Sequence, residues 1–208
     1  MPRRPTFTVK LFPLNIPIMT TESNTRFISG LALFLAIAAA TFTLRAAEPP
    51  KMGATAPDFT LKTMDANSVT LSAETAELPV VLIVLRGWPG YQCPLCTRQV
   101  NEFVSRADAF DGKARVIMVY PGPAAELQAH AEEFLKDKTW PKNFMFVTDP
   151  DFTFTQSYGL RWEAPGETSY PSTFVIDSKG IVKFVKISKS HGGRATAAET
   201  LAVLEKLK

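Results

Sequence analysis

The fold is indicated by residues 79–96, which read PVVLIVLRGWPGYQCPLC. The first seven residues form an unbroken apolar run rich in β-branched side chains, which is typical of a strand buried on both faces of a sheet. The glycines and proline of residues 86–92 then predict a loop. From Cys93 to Phe110, apolar residues recur at spacings of three and four, which predicts a helix. A strand, a loop and a helix in this order form the unit from which layered α/β folds are built.

The rest of the chain continues the alternation of strands and helices. The pattern predicts strands at residues 58–61, 69–71, 115–120, 144–147, 173–177 and 181–187, and helices at residues 124–136 and 196–207, with a short helix opening at Asp149 and Pro150. Ser178, Lys179 and Gly180 lie between the last two strands and predict a hairpin. We therefore predict an α/β domain with a mixed central sheet and helices on both faces.

Composition and charge restrict the class of protein. The chain has 208 residues, of which 46% are hydrophobic and 21% are charged, so collagen-like and wholly disordered chains are excluded. The net charge of +3 arises from residues 1–46, which carry five basic side chains and one acidic one. Residues 47–208 carry 18 basic and 19 acidic side chains, a net charge of −1. Nucleic-acid binding requires a clustered basic surface, so we expect no nucleic-acid partner.

The N-terminal segment carries the pattern of a targeting signal. Residues 27–44 form an uncharged apolar run between two arginines, and small residues follow it. This order is typical of a secretory signal peptide, which would be cleaved after Ala46 or Ala40. The 18-residue run also lies at the lower limit of the length that spans a bilayer, so an uncleaved anchor is the alternative.

We therefore divide the chain into a leader, residues 1–46, and an exported domain, residues 47–208. The expected location is periplasmic or otherwise extracytoplasmic, with a membrane tether if the leader is retained. Met19 would begin a more conventional leader than Met1 does, and the sequence leaves the true start open. Outside the cytosol, a disulfide is not reduced by glutathione or thioredoxin and can persist.

The chemistry of the chain is concentrated at Cys93 and Cys96, its two cysteines. Both lie at the predicted start of a helix, where unpaired N–H groups and a partial positive potential stabilise a thiolate. Cysteines in such positions have pKa values of roughly 3.5–7.5 instead of about 8.5. The offset of three residues also lets the sulfurs form a disulfide, so the pair can cycle between dithiol and disulfide. One alternative is an inert structural disulfide, but a disulfide that closes so short a loop would stabilise the fold little. The other is a zinc site, which would need His130 and His191 as its two further ligands, although His130 is expected to face solvent.

Three segments resemble the peroxiredoxins, the alkyl hydroperoxide reductase and thiol-specific antioxidant family. Residues 53–61, GATAPDFTL, resemble the G-x-x-A-P-D-F-x-L opening of that family. Residues 89–96, PGYQCPLC, resemble its P-x-x-x-T-x-x-C motif: Pro89 is in register, Cys93 replaces the threonine, and Cys96 falls on the cysteine that attacks peroxide. Residues 174–180, FVIDSKG, resemble the late hairpin of thioredoxin-like proteins. The resemblance implies a thioredoxin-like fold over the whole predicted domain.

The sequence departs from the peroxiredoxin pattern at Pro171. This residue stands where peroxiredoxins carry an arginine that helps to hold the thiolate and the peroxide. In its context, YPST at residues 170–173, it resembles instead the cis-proline that faces the CxxC motif of thioredoxin-like reductases. Arg86 and Arg161 are candidates for the missing positive charge, although each also fits a surface arginine.

Two loop aromatics, Trp88 and Tyr91, complete the set of candidate site residues. Their positions beside the CxxC motif fit the walls of a substrate groove. Aromatic residues in loops also commonly pack the loop onto the core, and the sequence does not decide between the two interpretations.

Three functions remain open, none of which requires a bound cofactor. In a thiol peroxidase, Cys96 would attack hydrogen peroxide or an organic hydroperoxide, Cys93 would resolve the sulfenic acid, and an external dithiol such as a thioredoxin-like donor would reduce the disulfide. In a thiol–disulfide oxidoreductase acting on exported proteins, Cys93 would attack the substrate disulfide and Cys96 would resolve the mixed disulfide. The third hypothesis is a copper-handling module that uses both cysteines and His191.

Overall fold

The computed structural model describes residues 47–207. The predicted leader, with its apolar run at residues 27–44, lies outside the described residues. Within residues 47–207, no helix combines the length and the apolar character that crossing a bilayer requires.

Seven strands form one mixed sheet. They are β1 (Thr60–Thr63), β2 (Ser68–Thr70), β3 (Val80–Val84), β4 (Arg115–Gly122), β5 (Phe144–Pro150), β6 (Ser172–Ile176) and β7 (Val182–Ile187). Their order across the sheet is β2-β1-β5-β4-β3-β6-β7. β4 pairs in parallel with both β3 and β5, whereas β6 pairs antiparallel with β3 and β7. The predicted mixed sheet and the late hairpin are therefore confirmed.

Helices cover both faces of this sheet, as predicted. They are α1 (Leu71–Glu77), α2 (Pro94–Val104), α3 (Ala107–Phe110), α4 (Leu127–Leu135), α5 (Thr153–Ser157) and α6 (Ala197–Leu204), followed by a 3-10 turn at Glu205–Leu207. The core on one face contains side chains of α2, α3, α4 and α6, and the core on the other face contains side chains of α1 and α5.

The strand β3 lies near the centre of the sheet and is buried on both faces. Val81 and Ile83 pack into the core beneath α2, whereas Val80, Leu82 and Val84 pack into the opposite core. All five side chains are inaccessible to solvent. This alternation explains why the run has no polar positions, and it directs the loop that follows β3 toward the start of α2.

Two local expectations were wrong, and one helix was not predicted. The helix predicted over residues 93–110 is broken after Val104, because Arg106 is not helical, and the break brings the rings of Phe103 and Phe110 into a stack at 5.7 Å. The helix α1 was not predicted. Its first turn is held by a distant carboxylate, since Asp58 accepts hydrogen bonds from the amide and hydroxyl of Ser72. No local pattern shows such a cap.

The short helix also begins later than predicted. Asp149 and Pro150 belong to β5, and α5 starts at Thr153. The Asp149 carboxylate nevertheless caps this helix, because it accepts hydrogen bonds from the amides of Phe154 and Thr155 at 2.8 and 2.9 Å.

Candidate active site

The two cysteines lie at the first turn of α2. Cys93 is the N-cap residue, and Pro94 occupies the first helical position, where the missing N–H of proline costs nothing. The amide of Thr97 donates to the carbonyl of Cys93 at 3.1 Å and closes the turn. Both residues are free thiols, with Cys93 3% and Cys96 0% exposed. The structure thus holds two reduced sulfurs side by side at a helix N-terminus, barely open to solvent.

A guanidinium from a distant part of the chain reaches both sulfurs. Nη1 of Arg194 lies 3.4 Å from Sγ of Cys96, and Nη2 lies 3.8 Å from Sγ of Cys93. The same group donates to the side chain of Gln99 at 3.1 Å and to the carbonyl of His191 at 3.0 Å. Sequence reasoning missed Arg194. Its only local mark is its place in a Gly-Gly-Arg turn before α6, which does not indicate chemistry.

This arrangement places the negative charge on Cys93. Its pKa is lowered to about 5, chiefly because the Cys96 thiol donates a hydrogen bond to it. Burial opposes that shift, whereas the amides of Cys96 and Leu95 and the charge of Arg194 support it. The pKa of Cys96 is raised well above its ordinary value, because Cys96 is buried and its proton is held by the neighbouring sulfur. One thiolate and one thiol therefore share the site.

Gln92, the residue before Cys93, ties the site to α4. Its side-chain amide donates to the carbonyl of His130 at 2.8 Å and to the carboxylate of Glu133 at 3.0 Å. Its side-chain oxygen accepts from the hydroxyl of Tyr120 at 2.9 Å. Burial, followed by the nearby Cys96, raises the pKa of Tyr120, so its hydroxyl stays protonated and acts as a donor. The start of α2 is thus held in place from the sheet and from a second helix.

Comparisons with known proteins place the chain in a family. The family model described as Redoxin matches residues 51–204. The chain belongs to the Redoxin family. Similar curated proteins include the chloroplastic peroxiredoxin Q of rice (Oryza sativa), which is 26% identical over 155 residues covering 74% of this redoxin and 67% of the relative. Alkyl hydroperoxide reductase E of Mycobacterium tuberculosis is 28% identical over 143 residues, which cover 66% and 86% of the two chains.

Solved structures support the same assignment. The peroxidoxin BcpB of Mycobacterium tuberculosis superposes with a TM-score of 0.60 at 25% identity, covering 76% of this redoxin and 99% of that chain. A peroxiredoxin-like protein from Aquifex aeolicus superposes with a TM-score of 0.59 at 18% identity, covering 77% and 89%. The predicted thioredoxin-like fold and the resemblance to peroxiredoxins are therefore confirmed, and this redoxin is a peroxiredoxin-like oxidoreductase.

The two arginines proposed from the sequence do not contact the sulfurs in the described part of this redoxin. Arg86 is 3% exposed, so the interpretation of it as a surface arginine is wrong. Its guanidinium donates to the carboxylate of Glu167 and to the carbonyl of Gly166, both at 2.8 Å. It also donates to the hydroxyl of Tyr91. Arg161 instead donates to backbone carbonyls of its own loop, including that of Trp162 at 2.7 Å. Both arginines order loops around the site.

Pro171 is not a cis-proline, because every peptide bond among residues 47–207 is trans. The trans form is favoured by about 0.5–1 kcal/mol for bonds to proline. The backbone here also continues the pairing of β6 with β7: the carbonyl of Pro171 accepts from the amide of Ser188 at 2.9 Å, next to the paired Ser172 and Ile187. Pro171 is therefore a trans residue that directly precedes β6.

The remaining loop candidates are divided between packing and exposure. The ring of Trp88 stacks on His130 at 3.6 Å, so this tryptophan packs the loop onto α4, and the expectation of a solvated His130 was wrong. Tyr91 is exposed beyond its hydrogen bond to Arg86. Pro89 lies half-buried in the same loop.

The three residues of the copper hypothesis do not form a metal site. The ring of His191 lies 2.8 Å from the carboxylate of Glu167, and its side chain is 44% exposed. Among the described residues, no group of three or more histidine, cysteine, aspartate or glutamate side chains is placed to hold a metal ion. The histidine contributes its backbone carbonyl to Arg194 instead.

Proposed function

We propose that this redoxin is a thiol peroxidase that reduces hydrogen peroxide or organic hydroperoxides through a dithiol–disulfide cycle. The observation that carries the proposal is the pair of sulfurs under Arg194, one ionised and one protonated. A thiolate is the nucleophile that attacks an O–O bond, and a fixed guanidinium stabilises the negative charge that develops on the leaving oxygen. Membership of the Redoxin family and the peroxiredoxin relatives support the same chemistry.

The cycle balances with one external dithiol. The Cys93 thiolate attacks one oxygen of ROOH, the O–O bond breaks, and the released RO⁻ takes a proton to become ROH, leaving Cys93 as a sulfenic acid. The Cys96 thiolate, formed when that thiol gives up its proton, then displaces hydroxide, which leaves as water, and the disulfide forms. A dithiol of the thioredoxin-like class reduces the disulfide and is itself oxidised. The net reaction converts ROOH and the dithiol into ROH, water and the donor's disulfide.

This order exchanges the roles that the peroxiredoxin resemblance assigns to the two cysteines. The family motif puts the attacking sulfur at Cys96, whereas the charge in this structure resides on Cys93. Cys96 is inaccessible to solvent and its pKa is raised, so a peroxide would meet the Cys93 sulfur first and in its reactive form. In the peroxiredoxin motif a threonine stands at the position of Cys93, so the exchange of roles depends on the replacement of that threonine by a cysteine.

The rate of oxidation by peroxide tests the proposal. A free cysteine is only about 3% ionised at pH 7, so complete ionisation of Cys93 raises its thiolate fraction about thirtyfold. The gain in rate from ionisation is at most this factor, because a less basic thiolate is a weaker nucleophile. Stabilisation of the leaving oxygen by Arg194 should add to this, and we expect a second-order rate constant at least about a hundredfold above that of free cysteine. A second-order rate constant, measured by stopped flow, that exceeds that of free cysteine by no more than about thirtyfold would contradict the peroxidase assignment.

Single cysteine variants test the roles separately. With Cys96→Ser, peroxide should produce a stable sulfenic acid on Cys93, detectable with a dimedone probe and mass spectrometry. With Cys93→Ser, the sulfenic acid should be absent. The reverse outcome would restore the attacking role to Cys96 and leave the peroxidase assignment intact.

A thiol–disulfide oxidoreductase is the second candidate. The observation that favours it is that the more N-terminal sulfur of the CxxC motif is the acidic one and its partner is buried, as attack on a substrate disulfide requires. The two functions are separated by comparing the rate of the reduced protein with hydrogen peroxide and with an unfolded disulfide-bonded protein. A faster reaction with the disulfide would favour the second function.

Export remains part of the proposal. The apolar run at residues 27–44 and its flanking residues support it. Expression of the full chain followed by cell fractionation and mass measurement of its N-terminus would distinguish a cleaved leader from a membrane tether. Recovery of the uncleaved chain in the soluble cytosolic fraction would contradict both.

A further inference from the structure

Arg194 is held over the sulfurs without a carboxylate partner. Among the described residues its guanidinium donates to two sulfurs, an amide oxygen and a backbone carbonyl, and it forms no ion pair with an acidic side chain. The acidic side chains of the surrounding elements are bound elsewhere: Glu167 pairs with Arg86, Glu199 with Lys186, and Glu102 accepts from the amide of Ala197. The Cys93 thiolate is therefore the counter-ion of Arg194.

The segment that carries Arg194 has little regular structure of its own. This segment, residues 188–196, connects β7 to α6 and is called the Arg194 loop here. It contains Gly192 and Gly193, the latter with φ of +68°, and the hydroxyl of Ser188 donates to the carbonyls of Ser190 and Gly192 within it. These contacts lie within the loop. Because the guanidinium would gain entropy by leaving the sulfurs, the loop needs an anchor to a residue outside it to keep the guanidinium there.

That anchor is His191. Its Nε2 lies 2.8 Å from Oε1 of Glu167, and its backbone carbonyl accepts from Nε of Arg194 at 3.0 Å. Glu167 is itself fixed from the core, because its Oε2 accepts from Nε of the buried Arg86 at 2.8 Å. A continuous chain of contacts therefore runs from a buried arginine through Glu167 and His191 to the guanidinium that contacts both sulfurs.

We propose that Glu167 and His191 are positioning residues, which hold the Arg194 loop so that the guanidinium contacts Cys93 and Cys96. The imidazole ring of His191 binds the carboxylate of Glu167, and the backbone carbonyl of His191 orients the guanidinium of Arg194. The inference deepens the proposed function, because it concerns the activation of the same sulfur. It holds for either of the two redox reactions, since both require the Cys93 thiolate.

The experiment measures the pH dependence of alkylation of Cys93 by iodoacetamide in the reduced full chain, followed site by site with mass spectrometry. The ionisable and charged groups that act on this sulfur are Cys96, Arg194 and, more weakly, Tyr120. With His191→Ala, Arg194 is released and the midpoint of alkylation should rise by about one pH unit. The rate at pH 5 should then fall about fivefold, whereas the rate at pH 8, where the thiolate is fully formed, should not change.

Two further variants separate positioning from general structure. His191→Gln keeps a side-chain donor within reach of Glu167 and should restore most of the rate at pH 5. Lys189→Ala is the matched control, because it removes a full positive charge from the same loop at an exposed residue that contacts neither Glu167 nor the sulfurs in the described structure. It should leave the midpoint unchanged.

A double-mutant cycle gives the decisive result. In an Arg194→Gln background the guanidinium is already absent, so adding His191→Ala should cause no further change in the midpoint. The same shift in both backgrounds, or no shift with His191→Ala alone, would overturn the proposal. Failure of the proposed function would show instead as a slow peroxide rate at pH 8 in the unaltered protein, which the alkylation profile does not measure.

Discussion

At the residue scale, two side chains and the backbone amides of α2 generate the reactive sulfur. Cys96 donates its proton toward Cys93, Arg194 supplies the compensating charge, and the helix amides supply further donors. Both sulfurs are almost completely buried, and burial alone would raise the pKa of each. Two differences decide which one ionises: Cys96 is the more deeply buried sulfur, and its proton is donated to Cys93, which also accepts from the amides of Leu95 and Cys96.

Arg194→Gln should raise the pKa of Cys93 by about one unit, because an opposite charge a few ångströms away shifts a pKa by one to three units. Arg194→Lys should raise it less, since an ammonium keeps the charge but cannot bridge two sulfurs with two nitrogens. The thiolate absorbance near 240 nm, titrated between pH 4 and 9, measures both shifts. Equal pKa values in the unaltered protein and Arg194→Gln would show that the guanidinium has no part in the ionisation.

At the element scale, two helix caps lie on opposite faces of the sheet and have different consequences. Thr196 and Glu199 form a capping box at the start of α6, directly after the Arg194 loop. Asp149 caps α5 on the far face, where its carboxylate accepts from two backbone amides and from the hydroxyl of Thr155. The capping box of α6 lies next to the loop that carries Arg194, so we expect it to affect both stability and the ionisation of Cys93. The Asp149 cap lies on the opposite face of the sheet, and we expect it to affect stability alone.

Thr196→Ala should lower the free energy of unfolding by about 1 kcal/mol and also raise the pKa of Cys93, because fraying of α6 loosens the Arg194 loop. Asp149→Ala should cost about 2 kcal/mol, because it leaves buried donors unpaired, but it should not move that pKa. Urea denaturation and the thiolate titration, performed on both variants, test the pair. A shift in pKa with Asp149→Ala would mean that the two faces are coupled.

For the whole molecule, the depressed pKa of Cys93 links folding to pH. The reduced folded protein has a Cys93 pKa of about 5, whereas in the unfolded chain it is about 8.5. Between these values the unfolded state binds more protons, so stability rises with pH and is lost as the pH falls toward 5. Above about pH 8.5 the trend reverses, because buried Cys96 stays protonated in the fold while it ionises in the unfolded chain.

The reduced protein should therefore gain up to about 1.4 kcal/mol per pH unit between pH 5 and 8. Urea unfolding under a non-thiol reductant measures this slope. The comparison is with Cys93→Ser, in which the contribution disappears and the slope should flatten. Parallel profiles for the two proteins would show that Cys93 is not ionised in the fold.

Much of the architecture could be predicted from local patterns, because burial leaves a periodic trace in the chain. The apolar run at residues 79–85 predicted a strand buried on both faces, and β3 has this environment. The break between α2 and α3 and the helix α1 could not be predicted, because they depend on ring packing and on the distant carboxylate of Asp58. Local propensity does not contain such contacts.

The sequence by itself determined the class of fold and the redox pair, since adjacent cysteines on one helical turn are neighbours in any fold that forms the helix. Only the tertiary structure decided which sulfur is ionised and by what. Arg194 lies 98 residues after Cys96, and a charge becomes a partner through distance in space, which the strand order sets. The sequence offered Arg86 and Arg161 as candidates for the missing positive charge, whereas a hairpin and a glycine-containing loop bring Arg194 to the sulfurs.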